Sequence, residues 1–163
     1  MNRNRKGFTL IELLIVVAII GIIVAIAIPN LLNAIQRGRQ KRSMGDLRTI
    51  GTGVEAYAID FNVYPPGAAY SLPTGLAYPN LTVKAKLYSY VEPTYVKTLP
   101  LKDGWNSWFL YSFGTNNQDY GLSSNGKDGA AGPSPFGATT DFNADLVFVD
   151  GQFVQYPEGA QNN

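Results

Sequence analysis

The 163-residue chain contains neither cysteine nor histidine. Those two absences exclude disulfides, thiol nucleophiles, imidazole bases and the common zinc and haem ligand sets. Most familiar catalytic machinery is missing, and no enzyme is expected. The lack of cysteine leaves the redox compartment open, because an exported protein can do without disulfides. Charge is also sparse: 15% of residues are charged and the net charge is +1, so no nucleic-acid partner is expected. Neither internal repeats nor a long low-complexity linker occur. The length and a 45% apolar content suit one domain of ordinary size plus an anchor.

The anchor is at the start. From Phe8 to Ile28 the chain is apolar except for Thr9, Glu12 and the small Gly21. At a rise of ~1.5 Å per residue this run gives ~31 Å, about one bilayer core, so it reads as a membrane-spanning helix. The flank with Arg3, Arg5 and Lys6 predicts a cytoplasmic N-terminus. A competing cluster, Arg37, Arg39, Lys41 and Arg42, lies well beyond Pro29, and the first flank usually dominates. An ordinary secretory signal would use Ala25-Ile26-Ala27 as its small-residue cleavage site. The apolar run is too long for that, and Glu12 would interrupt its hydrophobic region. A lone acid in such a run is costly and usually functional.

The helical pattern continues past the membrane length. Apolar residues recur at Leu31, Leu32, Ile35, Leu47, Ile50, Val54, Tyr57, Ala58 and Phe61, largely in steps of three and four. The first half of this long helix is apolar all round and the second half is amphipathic. The second half is therefore expected to lie against a globular domain, with the first projecting from it. Pro29 is expected to bend or loosen the rod, and Gly45, Gly51 and Gly53 to weaken helix propensity. Asn62 and Tyr64-Pro65-Pro66 end it. The basic cluster from Arg37 to Arg42 reads by default as a solvated helix face; anionic headgroups, acids of neighbouring subunits and DNA are the alternatives.

From Asn62 onward Gly, Pro, Asn, Ser and Tyr dominate, the composition of a small loop-rich domain. Leu81 to Leu99 suggests a short helix interrupted at Pro93, and Lys102-Asp103-Gly104 a turn. Strands are expected at Trp108 to Phe113 and Gln118 to Ser123. In DLVFVDGQFVQYP, two runs rich in Val and Phe flank Asp150-Gly151, which suits a type I′ hairpin. The predicted class is α+β, with an antiparallel sheet of three or four strands packed on the amphipathic half of the helix.

The stretch Gly7-Phe8-Thr9-Leu10-Ile11-Glu12, with a short basic leader before it and about twenty apolar residues after it, resembles the class III signal of type IV pilins and type II secretion pseudopilins. The resemblance implies a pilin-like fold, cleavage by a prepilin peptidase after Gly7, methylation of the new amino terminus at Phe8, and assembly into a helical homopolymer. It divides the chain into a leader at 1–7, a membrane and filament-core helix at 8–29, an amphipathic helix at 30–61 and an exterior domain at 62–163. Loss of the leader removes three cations and takes the side-chain charge from +1 to −2. It also gives Glu12 a role, because its carboxylate can pair with the Phe8 amine of a neighbouring subunit and so set register. The implied partners are the peptidase, an inner-membrane assembly platform and minor pilins or pseudopilins. The implied location is the bacterial inner membrane before assembly, and a periplasmic or cell-surface filament afterwards.

A second resemblance, to major pseudopilins, covers Tyr95 to Pro100 followed by Asp103-Gly104-Trp105, where Gly104 stands in place of the family's Pro and Asn106 in place of its Gly. Tyr120 to Gly129 is similar to that family's Gly-rich loop, which with a following acidic pair implies bound calcium. Calcium prefers several oxygen ligands on flexible loops, and Asn125, Asp128, Asp141 and Asp145 are the candidates, with backbone oxygens from Leu122 or Ser123. Asn125 replaces the family's acid, and AAGPSPFGATT lengthens the loop. The plainer alternative for Asn-Gly-Lys-Asp-Gly is a polar turn.

Three functions follow. The leading one is the major pseudopilin of a type II secretion system, a filament involved in protein export. The alternative is a type IV major pilin forming a surface fibre for adhesion, motility or DNA uptake. A membrane-tethered exterior enzyme or binding module is third, and it does not explain the cleavage motif.

Overall fold

The computed structural model describes residues 7–66, 68–70, 87–114, 118–132 and 136–159. Helix α1 runs from Leu10 to Phe61 without interruption, with Pro29 inside it. Two compact units divide the chain between Ile35 and Gln36. In the first, the large apolar side chains from Phe8 to Ile35 are exposed. An 18-residue window of this helix has a mean hydropathy of 3.2, long and apolar enough to cross a membrane.

Among the described residues the second unit contains the late part of α1, a short helix α2 (Tyr88–Val91) and six strands. Leu47, Ile50 and Val54 of α1 are fully buried, spaced by three and four as an amphipathic helix requires. They meet Leu87 and Val91 around α2, together with Phe109, Tyr111, Tyr120, Leu122, Leu146 and Phe148 from the sheet and its approach. Gly51 and Gly53 lie on the same face. A Cβ on Gly51 would stand 2.5 Å from the Phe148 ring, and one on Gly53 2.5 Å from Val96. Two of the three glycines that weaken helix propensity, Gly51 and Gly53, thus mark close approaches of the helix backbone to its domain, whereas Gly45 faces open space. After Phe61 the chain turns at Asn62, with φ 57 and its N–H bonded to the Ala58 carbonyl at 2.8 Å.

The strands are β1 (Ala68–Tyr70), β2 (Leu110–Gly114), β3 (Tyr120–Ser124), β4 (Gly137–Thr139), β5 (Leu146–Val149) and β6 (Gln152–Pro157). They form one sheet in the order β1-β2-β3-β5-β6-β4. The central four pair antiparallel, as the sequence predicts. Two short strands, β1 and β4, add in parallel at the edges, making the sheet mixed and wider than expected. Three-residue strands carry too little alternation to show in a sequence. The predicted hairpin is present: Val149 pairs with Gln152, and Asp150 and Gly151 both have positive φ, 46 and 83, as a type I′ turn needs. The strand predicted from Trp108 begins at Leu110, because Trp108 pairs across to Lys102 in an isolated bridge. The predicted helix between Leu81 and Leu99 is reduced to α2 within the described residues; residues 81–86 lie outside them.

Candidate functional site

The first site is the start of α1. Thr9 stands just before the helix, and its Oγ1 accepts a hydrogen bond from the Glu12 N–H at 3.3 Å. Glu12 answers with Oε2, which accepts from the Thr9 N–H at 2.9 Å and from the Thr9 hydroxyl at 2.7 Å. This is a capping box, in which two otherwise unpaired donors of the first turn are satisfied reciprocally. Within one chain, then, the acid in the apolar run is explained by the helix that it starts. The sequence reading passed over Thr9, although Thr-Leu-Ile-Glu has the required spacing.

The second site lies where three loops meet at one end of the sheet. Asp103, only 3% exposed, organises the first of them. Its Oδ1 accepts from the Trp105 and Ser107 N–H groups, each at 2.9 Å, and its Oδ2 from the Ser124 hydroxyl at 2.6 Å. The same loop holds α1. The Gly104 N–H donates to Ser43 Oγ at 2.9 Å, Ser43 donates to the Arg39 carbonyl at 3.0 Å, and Trp105 Nε1 donates to Gln36 Oε1 at 2.6 Å. A Cβ on Gly104 would stand 2.3 Å from the Arg39 carbonyl oxygen. A proline there, as in the related pattern, has no N–H to give Ser43.

The other two loops carry the predicted calcium ligands. Ser124 and Leu146 are the last pair of the β3–β5 ladder, so Asn125 and Asp145 occupy the next position on each strand. Gly126, at φ +65, brings the loops together: a Cβ would stand 2.7 Å from the Asn143 carbonyl oxygen and 2.8 Å from that of Ala144. Asp145 is 1% exposed, and its Oδ2 accepts from the Gly132 N–H at 3.2 Å. Its Oδ1 and the Oδ1 of Asn125 are both buried without a hydrogen-bond donor among the described residues. Burial, with the negative charge of Asp128 added and the Gly132 N–H opposing, pushes the Asp145 carboxyl up to about 6. Asp128 accepts from the Ala130 N–H at 3.1 Å and Asp141 from the Asn143 N–H at 2.9 Å, so both serve local turns.

Among the described residues no three acidic, histidine or cysteine side chains gather to hold a metal. The available donor set is mixed: one buried carboxylate, one buried amide oxygen, the nearby Asp128 and loop carbonyls. Two unsatisfied buried oxygens facing the end of one ladder fit a hard cation that takes carboxylate, amide and carbonyl oxygens together. Of the four candidates, Asn125 and Asp145 lie on adjacent strand ends. The network that joins Asp103, Ser43 and Gln36 is not legible in the sequence, because the contact of a loop with a helix some sixty residues earlier leaves no local spacing to read.

A long N-terminal helix with an exposed apolar start, a methylation-type entry to it, and a small sheet domain built on its later turns define a pilin-like subunit. The chain matches the description "Prokaryotic N-terminal methylation motif" over residues 2–28 and "Type II secretion system (T2SS), protein G" over residues 30–144. It belongs to the type II secretion system protein G family, that of the major pseudopilins. The type II secretion system core protein G of Vibrio cholerae is 30% identical over 137 residues, 83% of this chain and 90% of that protein. That of Aeromonas hydrophila is 30% identical over 137 residues, covering 80% and 89%. The type IV wide pilus major component PilA4 of Thermus thermophilus is 47% identical over 74 residues, 45% of this chain and 56% of that protein. No solved structure matches significantly.

Proposed function

We propose that this chain is the repeating subunit of a pilus-like filament in a type II secretion system and serves protein export as a structural element. The supporting observation is the union, in one chain, of the methylation motif at 2–28 with the protein G region at 30–144. On this reading a prepilin peptidase cuts after Gly7 and Phe8 becomes a methylated amino terminus. The processed chain waits in the inner membrane with that end cytoplasmic. An inner-membrane platform then adds it to the filament beside other pseudopilins. The exposed apolar side chains from Phe8 to Ile35 suit both settings, lipid before assembly and neighbouring helices after it.

The similarity to a type IV pilus component favours a second reading, a surface fibre. Shearing cells that express the chain at native level, imaging what is released and reading its N-terminus by mass spectrometry separates the two. Processed chain that stays with the envelope, with no long fibres released, is the result expected for the pseudopilus. Long sheared fibres of chains that begin at Phe8 would replace it with the surface pilus.

We further propose calcium at the end of the β3–β5 ladder, held by Asp145 and Asn125 with Asp128 and loop carbonyls; bound there, it would neutralise the buried carboxylate and join the two loops. The sign of the pH dependence follows. A carboxyl raised in the folded state above its ordinary value binds protons that the unfolded chain releases. Without cation, stability is therefore highest below the ordinary value, falls as pH rises toward about 6, and stays low above that. Thermal unfolding of the full chain in detergent should show calcium raising Tm at pH 7 and hardly at all at pH 4. Asp145→Asn should raise Tm in chelator and abolish the calcium response. A calcium-induced shift that survives Asp145→Asn unchanged would remove the site from this loop pair.

A further inference from the structure

The late end of α1 forms one side of an open groove of about 660 Å³, lined in part by Glu55, Ile59, Val63 and Tyr64. Ile59 is 83% exposed and Val63 42%, so its apolar wall is uncovered. The groove is also negative. The Tyr64 phenol is pushed up first by burial and then by the charges of Asp150, Glu55 and Asp119, so three carboxylates bear on one ring. Two of them are held in place. Tyr120, whose ring packs on Tyr64 at 4.9 Å, donates its hydroxyl to Glu55 at 2.8 Å and its N–H to Asp150 at 2.9 Å. An apolar wall, an aromatic face and fixed carboxylates suit a side chain with an aliphatic stem and a cationic head.

The chain carries such side chains on the same helix. Arg37, Lys41 and Arg48 follow one another by four and seven residues, which keeps them on one face of α1, and all are exposed. Seven residues further on that face stands Glu55, and four beyond it Ile59. Among the described residues neither Arg37 nor Lys41 forms an ion pair; Arg42 pairs with Asp46 at 3.5 Å and Arg48 lies over the Phe153 ring at 5.3 Å. One face of one helix is thus cationic early and acidic late.

We propose that this groove is a docking site for the Arg37–Lys41 segment of α1 from a second copy of the chain. The inference deepens the filament reading and rests on it for the parallel alignment of copies. Parallel copies shifted along the helix axis by about 21 to 27 Å bring Lys41 of one against Glu55 and Ile59 of the next. The two mating surfaces are different, so the contact is head-to-tail: it uses the cationic surface of one copy and the groove of the next, and leaves each with its other surface free. Repetition of that contact gives an open series and not a closed dimer. The docked cations answer Glu55 in the groove wall and the charges of Asp150 and Asp119 that act on Tyr64, and their stems cover Ile59 and Val63.

The test uses the full chain in cells at native level. Cysteine is absent, so Gly38→Cys with Thr52→Cys, both exposed and both leaving Arg37, Lys41, Glu55 and Ile59 in place, supplies the only two thiols at the same offset as Lys41 and Glu55. Fourteen helical residues separate them by about 21 Å, far beyond disulfide reach, so any 38–52 disulfide joins two copies. Mild oxidation should give a ladder of dimers and higher multimers from the double variant and none from either single variant. In parallel, Lys41→Glu should reduce filament yield several-fold, and Asp119→Lys in the same chain should restore it. Filaments that form without a ladder, a thiol trapped on a different protein, or unchanged yield from Lys41→Glu would overturn the docking. A ladder in membranes that make no filament would keep the docking and overturn the filament reading. Loss of both would overturn both.

Discussion

Glu12→Ala should abolish filament formation while leaving cleavage after Gly7 intact. Two effects are lost together in that variant, and they differ in size. The capping box that Glu12 forms with Thr9 satisfies donors of the first turn and supports only the helix start. On the proposed filament reading the charge matters more, because Phe8 would carry a methylated, positively charged amine in a packed apolar core. A buried charge that loses its partner costs on the order of 3 to 5 kcal/mol, and the loss recurs with every subunit added. Assembly should therefore fail by orders of magnitude, and a helix that merely frays should not stop it.

Glu12→Gln separates the two effects, because a Gln three residues after the cap still completes the capping box but carries no charge. It should be as defective as Glu12→Ala. Thr9→Ala does the reverse, since it removes the hydroxyl and keeps the carboxylate; it should assemble with a loss of a few fold at most. Sheared or envelope-bound filaments counted by electron microscopy, beside mass spectrometry of the N-terminus, give both readouts. If Glu12→Gln assembles normally while Glu12→Ala does not, the acid acts through the helix cap, and register must be set elsewhere.

The same pair of residues shows what a sequence makes legible. Signals confined to a few neighbouring residues can be read from it. The length of the apolar run, the Leu47, Ile50, Val54 stripe and the Asp150-Gly151 turn are of this kind, and each is where the spacing puts it. Thr9 was legible too, but the cost of an acid in an apolar run drew attention to pairing between chains and away from pairing within the turn. Edge strands β1 and β4 were not legible, since three residues in parallel at a sheet edge follow from where their chain segments arrive. Gly51 and Gly53 read locally as helix weakeners and become intelligible only beside Phe148 and Val96. Of the four calcium candidates, Asn125 and Asp145 sit on adjacent strand ends, whereas Asp128 and Asp141 each accept a hydrogen bond within their own turns.

Asp103→Ala should cost the domain about 3 to 5 kcal/mol, because removing the buried carboxylate leaves three donors unsatisfied at about 1 to 3 kcal/mol each before the loop relaxes. Asp103 accepts three hydrogen bonds at 2.6 to 2.9 Å, and alanine leaves the Trp105 and Ser107 N–H groups and the Ser124 hydroxyl without them. For a unit of this size that amounts to a fall in Tm of roughly 10 to 20 °C. The consequence spreads in two directions. Toward the helix, the loop that carries Gly104 and Trp105 loses the geometry that reaches Ser43 and Gln36. Toward the sheet, Ser124 is the residue before Asn125, so the end of the β3–β5 ladder loosens as well. Asp103→Asn keeps one acceptor and should lose about half as much, whereas Ser43→Ala, which removes a single link, should lose about 1 kcal/mol. If the three loops and the helix form one network, the Asp103→Ala and Ser43→Ala losses will not add, because the first already releases Gly104 from Ser43. Unfolding of the full chain in detergent by heat and by denaturant measures all four variants, counting the double. Strict additivity would mean that Asp103 supports the sheet alone and that the grip on α1 comes from Trp105 and Gln36 independently.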